Sequence, residues 1–177
     1  ASPNSQVTKA ITGEQALLID VDVPSYGYAS YAPKAATGTL IVEQKLLAND
    51  LIRIEFDDNG EISSLYDLRN QRQVLELGQT LNKLVAYEDR PMNWSAWDID
   101  AFYDEKPYAV REIIDWQVVE QGPLRAAIQI TRKFGQSTIT QRISLAHNSA
   151  KIDFETLVDW QERETLLRAL FPLDINA

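Results

Sequence analysis

The feature that most limits what this chain can fold into is a side-chain period of two. From Ile152 to Trp160, one set (Ile152, Phe154, Thr156, Val158, Trp160) alternates with another (Asp153, Glu155, Leu157, Asp159). Successive side chains of a strand point to opposite faces, so this pattern predicts a half-buried β-strand and is incompatible with a helix. Leu124, Ala126, Ile128 and Ile130 alternate in the same way with Arg125, Ala127, Gln129 and Thr131. Ile139, Ile143 and Leu145 resume the pattern beyond Gly135-Gln136. The two segments therefore read as a hairpin, with Gly135 supplying a positive φ at the turn.

An earlier hairpin is predicted where Asp50–Phe56 runs into Asp57-Asp58-Asn59-Gly60 and returns through Ile62–Tyr66. Asn-Gly between alternating segments is a strong short hairpin signal. Further strands are expected at Thr39–Glu43, Leu81–Tyr87, Val110–Glu120 and Leu166–Phe171, with Gly122-Pro123 marking a break between two of them. Strands at this density, without an amphipathic helix, indicate an all-β fold, an antiparallel β-sandwich. Residues 39–177 form that sandwich on this reading. Residues 1–38 form a leading strand (Leu17–Val23) and a connecting segment (Ala29–Ala36). The chain stops just beyond the apolar run Leu166–Leu173, which reads as truncation of a sandwich before its closing strand; a final edge strand is the alternative. Ala1–Gln6 lacks the basic and apolar regions of a signal peptide and reads as an internal starting point.

Composition excludes several function classes. A net charge of −9, from 26 acidic and 17 basic residues, argues against nucleic acid or an anionic membrane as partner. No apolar stretch approaches the length of a membrane span. With no cysteine there are no disulfides or thiolate metal sites, a composition that suits a cytoplasmic protein. His147, the only histidine, sits in Ala146–Ala150, which reads as a hairpin loop and supports neither a zinc cluster nor a nucleophile–histidine arrangement.

The stretch most suggestive of binding is Tyr87–Glu105, which holds two of the four tryptophans, further aromatics and six acids between two strands. Aromatic faces stack on pyranose rings and carboxylates accept hydrogen bonds from hydroxyls, so the pattern suits sugar recognition. The competing expectation is that Trp94 and Trp97 cap the core while the acids face water. Glycoside hydrolysis uses paired carboxylates. Asp98 and Asp100 have a spacing that could place them on one side of an extended segment, but no pair stands out from so many acids.

Several segments in order resemble the C-terminal β region of the family-thirty-eight glycoside hydrolases, the α-mannosidases. They are Val23–Tyr28, Leu51–Asp67, Tyr87–Asp100, Gly122–Ala126, Ser137–Ile143, Ile152–Arg163 and Phe171–Ile175, spanning nearly the whole chain. The resemblance implies a supersandwich of the galactose-mutarotase-like kind. It implies a parent retaining mannosidase whose nucleophile and zinc ligands lie in a separate N-terminal catalytic domain, so no catalytic or metal residue is carried onto this chain. The partners implied are that domain and an α-mannoside substrate, with the parent's oligomer state left open. Within the loop, Asp89, Arg90, Trp94, Trp97, Asp98 and Asp100 become candidates for substrate-facing or interdomain residues. Gln161 stands where the family usually has histidine, which removes any role needing an imidazole there. An independent carbohydrate-binding module is the alternative reading.

Overall fold

A computed structural model describes residues 5–21, 24–28, 30, 35–94 and 97–175. Asp22 and Val23, most of the Ala29–Ala36 segment, and Ser95 and Ala96 of the tryptophan loop lie outside the described residues. Fourteen strands follow in order: β1 Ser5–Lys9, β2 Gln15–Ile19, β3 Leu40–Glu43, β4 Leu46–Asn49, β5 Ile52–Phe56, β6 Ile62–Asp67, β7 Arg72–Gln73, β8 Lys83–Glu88, β9 Pro107–Ala109, β10 Glu112–Gln121, β11 Arg125–Phe134, β12 Ser137–Ala146, β13 Ile152–Asp159 and β14 Thr165–Leu170. The only helical turn among the described residues is Tyr103–Glu105. The all-β expectation is met. The strands β1, β4, β7 and β9, each five residues or shorter, were not foreseen.

One layer is the antiparallel sheet β10-β11-β12-β13. The other consists of a five-stranded sheet, β3 to β7 in order, and a three-stranded sheet β14-β8-β9. Bridges Ile62↔Leu81 and Leu75↔Leu173 tie these two sheets together. Alternation decides what lies between the layers. Ala126, Ile128 and Ile130 of β11 and Ile143 and Leu145 of β12 pack on Leu47, Ile52, Ile54, Phe56 and Ile62. Ile139, farther along β12, joins a second cluster with Leu84 and Ala86 of β8 and Val110. Apolar burial of this kind is the main favourable term holding the layers together.

The half-buried pattern expected for β13 holds only for its first residues. Ile152 and Phe154 pack on the core, whereas Leu157 and Val158 are 49% and 41% exposed. β13 is the outer strand of its sheet, so no neighbouring strand shields this end from the side.

The turn after β5 follows its sequence signal. Asp57 Oδ1 accepts hydrogen bonds from the backbone N–H groups of Asn59 and Glu61, each at 2.9 Å, and Gly60 adopts φ +69°. A Cβ at Gly60 would lie 2.6 Å from Arg132 Nη2 and 2.9 Å from Ile130 Cδ1. Gly60→Ala is therefore expected to cost about 3 kcal/mol, combining left-handed backbone strain with overpacking. Chemical denaturation checks this; a loss below about 1 kcal/mol would show that the turn relaxes freely.

The β1–β2 hairpin lies on the outer face of the four-stranded sheet and docks through polar groups. Gln6 Oε1 accepts from the N–H groups of Leu124 (3.0 Å) and Arg125 (2.8 Å), and its Nε2 donates to the Arg125 carbonyl at 2.8 Å. Thr8 donates to Glu120, which Arg125 grips through two 2.7 Å bonds. Burial alone would push the Glu120 carboxyl up. The hydrogen bonds from Arg125 and Thr8, with the charges of Arg125 and Arg142, outweigh it and hold the group below the ordinary glutamate range. A carboxyl with a depressed folded-state pKa contributes stability that is present above its unfolded value of about 4.3 and is lost as pH falls through the folded value. Amide exchange should therefore show β1 and β2 losing protection between pH 5 and pH 3, before β11 and β12 do. Simultaneous loss in all four strands would show that Glu120 does not control the dock.

Candidate functional site

The Asp89–Asp100 loop leaves the sheet at the end of β8 and returns through the Tyr103–Glu105 turn to β9. Its first residues are anchored. The Asp89 N–H donates to the Glu164 carbonyl at 2.8 Å, and Arg90 forms ion pairs with Glu164 and, at 3.2 Å, with Glu88. Its neck is closed where the Met92 N–H donates to Asp100 Oδ2 at 3.3 Å. At its tip, the N–H groups of Trp97 and Asp98 both donate to the Trp94 carbonyl, at 2.8 and 3.0 Å. Trp94 itself takes φ +59°, a left-handed conformation that ordinary residues enter only when a tight turn demands it. The result is a compact loop whose ends are pinned and whose tip projects from the scaffold.

The loop does not cap the core. Trp94 is 76% exposed and Trp97 89%, in contrast with the partly buried Trp116 and Trp160. An open hollow of about 410 Å³ lies between the two loop tryptophans. Asp98 and Asp100 do not act as a pair: Asp98 Oδ1 accepts from the adjacent Ile99 N–H at 3.0 Å, while Asp100 closes the neck.

A separate cleft of about 290 Å³ opens beneath the loop. Glu88, Asp89, Arg90 and Asp100 line one part, and Phe102, Tyr103, Glu105 and Lys106 the rest. Thus three of the six sequence candidates, Asp89, Arg90 and Asp100, converge on one cleft, while Trp94, Trp97 and Asp98 stand at the tip. Tyr103 is fixed there by an edge-on contact with Tyr87, at 5.3 Å between ring centroids, and by Arg168, which donates to its hydroxyl and lies over its ring. Phe102, Tyr103, Glu105 and Lys106 were not among the site candidates. The aromatic pair was visible in the same stretch, but only the returning chain places it opposite Asp89. Glu164, which holds the loop, lies 74 residues away from Arg90 and gave no local signal.

His147 follows β12 in a turn, as its sequence context suggested, yet it is only 5% exposed. Its Nδ1 lies 2.8 Å from the Thr37 carbonyl and its Nε2 3.3 Å from Asp20 Oδ2, so the ring clasps the N-terminal segment to the sandwich. Gln161 donates its backbone N–H to Ser137 Oγ at 2.9 Å and its amide to Asp159 at 2.6 Å. Among the described residues no group of three or more His, Asp or Glu side chains is arranged to hold a metal ion.

Residues 47–177, which hold most of the sandwich and the tryptophan loop, match the glycosyl hydrolases family 38 C-terminal domain. The chain belongs to that family. Alpha-mannosidase G of Dictyostelium discoideum is 32% identical over 160 residues, covering 87% of this chain and 14% of that protein. Alpha-mannosidase 2C1 of Homo sapiens is 26% identical over 170 residues, covering 89% of this chain and 16% of its own length. The crystal structure of an alpha-mannosidase from Enterococcus faecalis shares the fold, with a TM-score of 0.60 at 16% identity over 97% of this chain and 26% of that one. The family 38 chain described here therefore spans about a seventh of the length of the curated relatives it matches. Its relatives are glycosidases by name, and the C-terminal β-sandwich is the part they share with it.

Proposed function

We propose that this chain is the non-catalytic β-sandwich portion of a zinc-dependent, retaining α-mannosidase. In this reading the sandwich, residues 39–177, packs on a catalytic domain elsewhere in the longer polypeptide and helps wall its sugar site, and residues 1–38 form a strap across the sandwich. The observation that carries the reading is the family 38 match running through a loop that stands out from the fold with a polar, aromatic-lined cleft beneath it. A packed domain gains nothing for its own stability from tryptophans left in water, so such a loop is built for something beyond this chain.

The residues described here do not fit a zinc site. The single histidine already has an oxygen beside each ring nitrogen, and among the described residues no three His, Asp or Glu side chains are arranged to hold a metal ion. In this reading the metal and the nucleophile lie in the catalytic domain. What this chain contributes is shape and hydrogen-bond acceptors: Asp89 and Asp100 face the cleft, with Phe102 and Tyr103 as its apolar wall.

The longer polypeptide is expected to hydrolyse α-mannosides with net retention at the anomeric carbon and to lose that activity on chelation. This chain alone should give no saturable heat when titrated with mannose or methyl α-mannoside. Retention and a chelator-sensitive rate support the reading; a longer polypeptide that is folded and inactive on every α-mannoside sinks it. The second reading, an independent carbohydrate-binding module, draws on the same carboxylate and aromatic cleft. Saturable binding of methyl α-mannoside by this chain alone would select it.

A further inference from the structure

The β1–β2 hairpin lies over a row of polar side chains that crosses three strands. Gln117 of β10, Gln129 of β11 and Arg142 of β12 are partners in register. They stand on the outer face of the sheet, since their neighbours Trp116, Ile128 and Ile143 pack on the core. Where the hairpin turns, with the Gly13 N–H donating to the Ala10 carbonyl at 2.9 Å, a recess of about 420 Å³ remains between it and this row. Lys9 and Arg142 are the charged residues among its described walls, and no carboxylate lines it. We infer that this recess is a binding site for a phosphate group, which would hold the hairpin on the sheet by contacting both.

Arg142 carries the argument. It is only 6% exposed. Its Nη1 donates to the Lys9 carbonyl and its Nη2 to Gln129 Oε1 at 3.1 Å, while its Nε has no hydrogen-bond partner among the described residues. Glu120 comes within ion-pair reach, with Oε1 at 3.8 Å from Nη1. That carboxylate, however, is already gripped by Arg125 through two 2.7 Å bonds and accepts from Thr8. One carboxylate thus serves two guanidiniums. Glu155, which faces Arg142 across the β12–β13 register, forms no ion pair with it among the described residues. A buried charge without a full counter-charge is costly, so an anion in the recess supplies what the fold does not.

The lining also selects the kind of ligand. No aromatic ring walls the recess, so a neutral pyranose has nothing to stack on. A phosphate presents several charged oxygens at once, which suits guanidinium, ammonium and amide donors gathered on one side. Lys9 is in place to close the site from the hairpin. Its side chain curls across the turn, with Cε 3.6 Å from where a Cβ on Gly13 would stand, and Gly13 takes φ +99° there. In a chain of net charge −9, a recess walled by two cations and no acid is a local feature that composition does not supply.

Calorimetric titration of the folded chain at fixed ionic strength, first with sodium phosphate and then with mannose 6-phosphate, tests this. Saturable binding with a Kd of about 1 mM or tighter is expected from at least one of them. Equal affinities identify the phosphate group alone as the ligand, and binding of mannose 6-phosphate tighter by about tenfold or more identifies a sugar phosphate. At ligand concentrations above about twice Kd, amide exchange in β1 and β2 should slow about threefold or more, because the ligand favours the docked hairpin. Lys9→Gln keeps the backbone carbonyl that Arg142 uses and should weaken binding about fivefold or more. Gln129→Glu keeps an acceptor for Arg142 Nη2 but brings the missing counter-charge, so it should abolish binding without lowering the urea midpoint. No saturable heat with either ligand overturns the site. Binding that neither substitution weakens, or that leaves β1–β2 exchange unchanged, overturns it as well and marks an adventitious ion only.

Discussion

Arg132→Met is expected to lower the stability of this chain by about 3 kcal/mol, shifting the thermal midpoint down by about 6–12 °C for a domain of this size. Arg132 is 1% exposed and lies on the core face of β11, in line with Ile128 and Ile130. Its guanidinium donates to the carbonyls of Asn59 (3.0 Å) and Gly60 (2.8 Å) and to Gln141 Oε1 (3.1 Å), and among the described residues no carboxylate forms an ion pair with it. Burial brings its pKa down to about 10, so the group still enters the interior protonated at neutral pH. Gln141 in turn exchanges two 3.1 Å hydrogen bonds with Asn82, which is fully buried. This chain of polar groups ties the β5–β6 turn to the opposite layer. Methionine fills similar volume but leaves the turn carbonyls without donors, at about 1–3 kcal/mol each. Removing the need to bury a charge offsets part of that loss. Urea unfolding measures the difference through its midpoint at constant slope. Arg132→Lys, with one compact charge in place of a planar fork, should recover only part of the loss. A methionine variant as stable as the native chain would mean that the network specifies the turn without stabilising it.

Trp97→Ala is expected to separate stability from activity. In this chain the side chain is 89% exposed, so the substitution should change unfolding free energy by less than about 0.5 kcal/mol. If the longer enzyme is the proposed mannosidase and this loop packs at its domain contact, a tryptophan at the centre of that contact contributes about 2 kcal/mol or more. On the same proposal, misplacing the loop by an ångström would disturb a sugar site walled by its base. Mannosidase activity should therefore fall at least tenfold while this chain unfolds at an unchanged denaturant concentration. Equal proportional losses would assign Trp97 to ordinary packing and remove it from the functional surface. Activity unchanged in the longer enzyme would do the same.

The strands that could be read in advance were those with long local patterns. β5–β6 and β11–β12 carry both alternation and a turn glycine at positive φ, Gly60 and Gly135, and each formed where the pattern lay. Arg132 continues the Ala126, Ile128, Ile130 register inward, but no local pattern announces the Asn59 and Gly60 carbonyls it meets across the core. The site was readable in part. Its aromatic and acidic composition marked the loop, but composition alone could not show that Asp89, Arg90 and Asp100 line a cleft while Trp94, Trp97 and Asp98 stand at the tip, because that depends on the path of the returning chain.

Period and turn chemistry are properties of neighbouring residues, so the order of side chains alone settled the all-β class, the main hairpins and the faces of β11 and β12. Docking between distant segments is a property of the closed fold. Gln6 meets Arg125 across 119 residues, His147 meets Thr37 across 110 and Arg90 meets Glu164 across 74, and none leaves a periodic trace. The layers had to assemble before those groups had partners. Only then did it emerge that β13 ends uncovered and that Trp94 and Trp97 stand outside the core they were equally suited to fill.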